Sequence, residues 1–428
     1  MSKMPPSPCA NSTGGHQRSD SSATTPSSGC TVNFSNNSTT SAKERATTVG
    51  ELTSVKSKGN KSLSKFFFAL SAVYWVTMTG LVLPILCIAF YYFLLLPISF
   101  ISHDLYLAIE HKIARFTNEH WVAGFHWYGI EVVEYGEEIE QVAEERCIVM
   151  ANHLGLLDHF ILMSSMHEKG SVTERWIWVI FHIWQWTPFG IAWMLHGNYF
   201  INGGRDKRAR LLDEFRQHLR TCYWRDEHTW IVVYPEGSRL FLIRETSQKF
   251  ARQTGGPELK HTAVPRLGAL SAMLEECGPR EHRNGVRCSR DASHCPPTCH
   301  SPIKYIVDAT LGYPDEFVAG LEQVIGGEVP VPPDHRYSVG IHYRIHPVRD
   351  IPRHSEAALR QWTNERWVEK DRLLDDFYRS GRFPGCGRVV RYSPWRTVAI
   401  ELFWWLCWYV HWRVWMRPLA SLAAGFLF

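Results

Sequence analysis

His153 and Asp158 are the side chains whose types and spacing most directly suggest acid–base chemistry. They lie in Cys147-Ile148-Val149-Met150-Ala151-Asn152-His153-Leu154-Gly155-Leu156-Leu157-Asp158, an apolar run that breaks at Asn152 and turns toward a helix. A hydroxyl that attacks an acyl group needs a base to take its proton. The base needs a group that fixes its tautomer and stabilises the imidazolium that forms. A histidine on a strand-end loop, with a carboxylate in the next helical turn, supplies both parts. A surface turn would show the same spacing, so the weight of the pair comes from its neighbours. His159 follows Asp158 directly and is expected to point away from the strand-end cleft. A Gly-x-Ser-x-Gly nucleophile elbow is absent from the sequence, which disfavours a serine acyl-enzyme of that kind.

Two further blocks carry candidate ligands for a polar substrate. Trp230-Ile231-Val232-Val233-Tyr234 has a buried-strand pattern and ends in Pro235-Glu236-Gly237-Ser238-Arg239. A carboxylate, a glycine and an arginine thus gather at the carboxyl end of a strand, where sites on α/β sheets cluster and where His153 also falls. Gly197-Asn198-Tyr199-Phe200-Ile201 reads as a short strand leading into Asn202-Gly203-Gly204-Arg205-Asp206-Lys207-Arg208. Its glycines and cations suit a phosphate seat, and a basic, solvated helix start is an equal reading. Thr262-Ala263-Val264-Pro265-Arg266-Leu267-Gly268 reads as another strand and turn.

The elements that must position these residues sit between two apolar flanks. Residues 1–62 are rich in Ser, Thr, Asn and Gly and are expected to be disordered, because they bury too little apolar surface to offset ordering. Asn11, Asn33, Asn36 and Asn37 form glycosylation sequons there, read as accidents of composition. Lys56, Lys58, Lys61 and Lys65 then precede an uncharged apolar run from Phe66 to Ser102. One span needs about 20 residues. The run is therefore read as a membrane hairpin over 63–103, bending near Gly80 and Pro84, with its basic flank on the cytosolic side; a single tilted transmembrane segment, which would put the following domain in the lumen, is the alternative. Residues 104–393 carry the mixed helix and strand pattern of an α/β domain. His126–Tyr135, Ile303–Leu311 and Tyr337–Arg344 are strand-like; Ala209–Tyr223 and Glu356–Tyr378 are helical. Trp176–Leu195 has no formal charge and five tryptophans, and reads as an interfacial helix, the wall of an acyl-chain pocket or an ordinary buried helix. Residues 394–428 form a tryptophan-rich, membrane-associated C-terminal segment.

The blocks occur in a specific order: Asn-His-x4-Asp, Gly-x2-Phe-Ile with a nearby arginine, Tyr-Pro-Glu-Gly-Ser-Arg, then Val-Pro-Arg, from Asn152 to Arg266. This order resembles the four-block signature of the glycerophospholipid acyltransferases, the family of lysophosphatidic acid acyltransferase. The likeness is closest to the acyl-CoA:lysophosphatidylglycerol acyltransferase branch. It extends through Arg244–Gln248, Ile341–Ile345 and Trp367–Asp371. The resemblance implies a glycerolphosphate-acyltransferase-like mixed sheet flanked by helices. It implies His153 as the base that deprotonates a lysophospholipid hydroxyl, with Asp158 orienting it, and acyl-CoA as donor. Asn152, Gly197, Arg205, Glu236, Gly237, Ser238, Arg239 and Pro265 are the implied substrate-binding positions. The family's second-block arginine usually stands one residue after Phe-Ile; here Asn202 stands there and Arg205 is the nearest arginine. Ser238 replaces the more usual threonine.

The rest of the chain sets the class of partners. A net charge of +4 is too mild for a nucleic-acid binder, and 18 tryptophans among 428 residues suit a bilayer interface. Eleven cysteines in so long a chain read as reduced thiols facing the cytosol. Cys295-x3-Cys299-His300, in the insertion 275–301, has a zinc-like look, but no second pair repeats the spacing and no metal is expected. The expectation is a membrane-bound acyltransferase of the endoplasmic reticulum with no resident cofactor, acting between acyl-CoA and lysophosphatidylglycerol or lysophosphatidylethanolamine. Lysophosphatidic acid or a neutral monoacylglycerol is the alternative acceptor. A silent lipid-binding scaffold is the remaining reading; the presence of both His153 and Asp158 counts against it.

Overall fold

The computed structural model describes residues 66–67, 69–202, 208–279, 301–316, 318, 320 and 337–427. The apolar N-terminal run does not double back as a hairpin. It forms one helix, α1 (Ala69–Ser99), long and apolar enough to cross a membrane. At about 1.5 Å per residue its 31 residues exceed the roughly 30 Å of a hydrocarbon core. Pro84 lacks an N–H, and the chain meets that loss by passing into wider, π-type bonding over Ile85–Leu95 instead of reversing. Helix α2 (His103–Trp127) follows, capped by the Ser102 hydroxyl, which accepts from the Leu105 N–H.

The sheet contains β1 (Ile130–Gly136), β2 (Cys147–Ala151), β3 (Trp176–Phe181), β4 (Tyr199–Ile201), β5 (Trp230–Val233), β6 (Tyr305–Gly312), β7 (Tyr337–Pro347) and β8 (Arg388–Val389). Their spatial order is β4-β3-β5-β2-β6-β7-β1-β8. Neighbours from β4 through β6 run parallel, as do β7 and β1, while β6–β7 and β1–β8 are antiparallel. Helices α3 (Asp158–Met166), α4 (Pro188–Leu195), α5 (Arg208–His218), α6 (Leu240–Thr254), α7 (Gly268–Cys277), α8 (Glu356–Ser380) and α9 (Pro394–His411) complete the domain.

Both faces of the sheet are covered, so its central strands are apolar at successive positions rather than alternating. Val149, Trp178, Val232 and Val307 pack into one core with residues of α1, α2, α3 and α9. Ile148, Ile177, Ile231 and Ile306 pack into another with residues of α5, α7 and α8.

Three further expected elements differ. The uncharged stretch from Trp176 begins as the buried strand β3, turns through His182–Trp186, and becomes helical only where Thr187 caps α4 ahead of Pro188. Its aromatic and β-branched residues fit a strand buried on both sides. Thr262–Leu267 forms no strand. The N–H groups of Lys260, His261 and Thr262 all go to the Asp371 carboxylate, and that of Val264 goes to the Ser247 hydroxyl. The strand at 126–135 starts later than its pattern suggests, because His126 and Trp127 close α2.

Candidate active site

Three adjacent parallel strands, β5, β2 and β6, end side by side, and a functional side chain follows each. His153 comes two residues after β2, Tyr234 directly after β5, and Tyr313 directly after β6. Asn152 ties two of these ends together. Its amide oxygen accepts from the Leu311 N–H at 2.8 Å and its amide nitrogen donates to the Leu311 carbonyl at 3.1 Å. With both ends of its amide committed and no exposed surface, Asn152 positions the loop.

Asp158 opens α3 and is fully buried. One carboxylate oxygen, Oδ2, lies 2.8 Å from His153 Nδ1 and accepts from the N–H groups of Leu154 at 2.7 Å and Gly155 at 3.0 Å. The other, Oδ1, accepts from the Tyr313 hydroxyl at 2.5 Å. These bonds satisfy a charge that would otherwise be costly to bury. They also fix the imidazole with Nδ1 engaged, leaving Nε2 as the nitrogen that can take a proton. The His153 side chain is 14% exposed, and its ring stacks on Tyr234 with centroids 4.2 Å apart.

His159 is only partly exposed. Its ring packs between Trp178 and Tyr234, and burial holds its pKa down at about 3, so it stays neutral and is no base at physiological pH.

The Tyr234–Arg239 turn is joined to the histidine loop by the Leu240 N–H, which donates to the His153 carbonyl at 2.9 Å. Gly237 takes φ of +77°, a conformation that side chains strain to adopt, and this bends the chain between Glu236 and Ser238. Arg239 caps α6 in extended conformation and lies over the Phe241 ring, 5.0 Å from its centroid. Arg266, held by its N–H to the Pro235 carbonyl, is exposed beside Gly237, while its neighbour Pro265 is buried. Glu236 is fully buried. Its Oε1 accepts from the Trp367 indole at 3.1 Å, and its Oε2 has no hydrogen-bond partner among the described residues. Burial pushes its pKa up to about 8 against the pull of the Trp367 indole, the Ala263 and His153 amides and the Lys370 charge. In this conformation Glu236 braces the turn through Trp367.

Gly197 is not at this edge. It precedes β4, with φ of +93°, and a side chain there would meet His228, which precedes β5. Both precede their strands, whereas His153 follows the carboxyl end of β2. A glycine suits position 197 because a Cβ there would stand against the His228 ring. Arg205 lies outside the described residues, as do Cys288, Cys295 and Cys299 of the insertion.

Comparison with known proteins identifies the family. An acyltransferase family model matches residues 132–274, and a model of the acyltransferase C-terminus matches residues 334–405. A putative 1-acyl-sn-glycerol-3-phosphate acyltransferase of Caenorhabditis elegans is 39% identical over 82% of this chain and 86% of its own length. The chain belongs to the acyltransferase family. Acyl-CoA:lysophosphatidylglycerol acyltransferase 1 of Mus musculus is 36% identical over 61% of this acyltransferase and 69% of its own chain. The crystal structure of the 1-acyl-sn-glycerophosphate acyltransferase PlsC of Thermotoga maritima superposes with a TM-score of 0.38 and 14% identity, over 73% of this chain and 97% of that one.

Four residues around the dyad and turn were not singled out by motif order. Tyr234 and Arg266 lie inside recognised blocks but carry no assigned role there. Trp367 lies in one of the outlying stretches of likeness, Trp367–Asp371. Tyr313 belongs to no motif; only the closing of β6 beside β2 brings it to Asp158.

Proposed function

We propose that this acyltransferase moves a fatty acyl group from acyl-CoA to the free hydroxyl of a lysophospholipid, with lysophosphatidylglycerol or lysophosphatidylethanolamine as acceptor. The observation that carries the reading is the 2.8 Å contact between His153 Nδ1 and an Asp158 carboxylate whose other bonds are all filled. His153 Nε2 takes the proton of the acceptor hydroxyl as its oxygen attacks the thioester carbonyl carbon. The tetrahedral intermediate collapses, the carbon–sulfur bond breaks, and coenzyme A leaves as a thiolate that takes the proton back from the imidazolium. Asp158 stabilises that imidazolium while it lasts. No enzyme-bound acyl group and no resident cofactor enter these steps.

Arg239 and Arg266 supply the positive charge beside the histidine that a phosphate-bearing acceptor requires, with Arg205 and Ser238 as further contributors. The name of the mouse relative supports a lysophosphatidylglycerol acceptor, and that of the nematode relative supports lysophosphatidic acid as the second reading. The apolar length of α1 supports membrane attachment, in the endoplasmic reticulum; a cytosolic catalytic face, on the same side as the lysines before α1, requires that α1 lie in the membrane without carrying the chain across it.

The test is acyl transfer from labelled acyl-CoA by membranes carrying the wild type or His153→Ala, with a panel of lysophospholipids and monoacylglycerol. Loss of a general base costs about 10²–10⁴-fold, so product is expected with wild type alone. Comparable product from His153→Ala removes His153 as the base. A preference for monoacylglycerol removes the phosphate-binding role of Arg239.

A further inference from the structure

We infer that Tyr313 is a positioning residue of the acyl-transfer site, acting through Asp158 to set the basicity of His153. The inference rests on the reading of His153 as the base. Among the described residues, Asp158 Oδ1 has one hydrogen-bond partner, the Tyr313 hydroxyl at 2.5 Å, whereas Oδ2 carries the histidine and two backbone N–H groups. Tyr313 and Asp158 are both fully buried, so no water stands ready to replace that bond. Tyr313 is held in place from the backbone side. It directly follows β6, whose Leu311 is clamped to Asn152, and its ring lies 6.4 Å from that of Tyr337 on β7. The Tyr313 hydroxyl stays protonated, because burial and the neighbouring Asp158 charge hold its pKa far above the usual tyrosine range.

A donor on Oδ1 draws charge away from Oδ2. It thereby limits how strongly the carboxylate holds a proton on His153. Without it the carboxylate is more basic, and the base is released from its proton only at higher pH. The titratable groups facing Asp158 are His153 and His159 from its own segment, Tyr234 after β5, Tyr313 after β6, Tyr337 on β7 and Tyr378 on α8. Tyr234, Tyr313 and Tyr378 are raised and His159 is lowered, so these four do not titrate near neutrality.

The experiment is the pH profile of acyl transfer by Tyr313→Phe, which keeps the ring and removes the hydroxyl, run beside His153→Ala in the full-length membrane protein. The expected result is a kcat about tenfold lower, KM values within about twofold, and an acidic limb of kcat/KM moved up by about half to one pH unit. The position of the limb does not depend on how much protein folds. In an Asp158→Asn background, Tyr313→Phe is expected to have little further effect, because the carboxylate through which it acts is gone. An unmoved limb, a loss confined to KM, or an undiminished loss in the Asp158→Asn background overturns the inference. Activity retained by His153→Ala defeats the base assignment itself. An inactive His153→Ala with a wild-type profile for Tyr313→Phe defeats only the role of Tyr313.

Discussion

Glu236 makes a pH-dependent prediction whose sign is set by burial. Its pKa rises from an ordinary 4.5 to about 8, with desolvation as the largest cause. Between those values the unfolded chain has released a proton that the folded chain still holds. Stability therefore falls as pH rises through this window, by up to about 1.4 kcal/mol per unit. From pH 4.5 to 7 that amounts to about 3 kcal/mol for this one group. Glu236→Gln keeps the shape and an acceptor for the Trp367 indole but removes the ionisation. The variant is expected to match wild type within about 1 kcal/mol near pH 5.5 and to gain on it by about 2–3 kcal/mol toward pH 8. Denaturant unfolding of both proteins in detergent, followed by tryptophan fluorescence at several pH values, gives the difference directly, and other titrating groups cancel from it. A difference that stays flat with pH would refute the reasoning and return Glu236 to an ionised role. The neutral form also suits the proposed chemistry, since a carboxylate here would oppose the phosphate that Arg239 and Arg266 attract.

Two substitutions test the placement of other residues. Gly197→Ala introduces a side chain at φ of +93° whose Cβ stands 2.9 Å from His228 Nε2. It is expected to destabilise by about 1–3 kcal/mol in thermal or denaturant unfolding, with specific activity per folded molecule preserved; lost activity at unchanged stability would restore Gly197 to the substrate site. Glu401→Ala removes the partner that His120 Nδ1 meets at 2.7 Å and Tyr74 meets at 2.8 Å, joining α1, α2 and α9. The expected cost is about 3 kcal/mol or more, and a measured cost below about 1 kcal/mol would show that the three helices hold together without it.

The carboxyl-edge strands are legible in the sequence because Cys147–Ala151 and Trp230–Val233 are buried on both faces and read as unbroken apolar runs. Asp158 is legible because a carboxylate opening a helix beside a strand-end histidine has a recognisable spacing. Other parts are hidden for identifiable reasons. Trp176–Leu195 has no charge to mark where strand gives way to helix, so its cap at Thr187-Pro188 is the only punctuation. Gly80 and Pro84 look like a bend, but an apolar helix tolerates both when a π-type register absorbs the missing N–H. Gly197 falls in the expected block order, yet order along the chain does not say which end of β4 it occupies. Tyr313 has no local signal at all, since its partner lies 155 residues away in sequence.

The C-terminal family segment is part of the site's construction and not an appendage. On α8, Trp367, Lys370 and Asp371 share one face at helical spacing, and each engages a different piece of the carboxyl edge. Trp367 donates to Glu236 on the turn after β5. Lys370 is fully buried, donates to the Ala309 carbonyl of β6 at 2.5 Å and pairs with Asp308 at 2.5 Å. Asp371 gathers the N–H groups of residues 260–262, just ahead of Pro265 and Arg266. Burial pulls the Lys370 pKa below its ordinary range while Asp308 pulls it back, so the ammonium depends on its partner to remain charged. Three side chains within five residues thus brace the turn that carries Arg239, the strand that delivers Tyr313, and the loop that carries Arg266. All three lie within residues 334–405, which match the acyltransferase C-terminus model. The residues there need no contact with substrate to matter, because they fix where the groups proposed to make that contact stand.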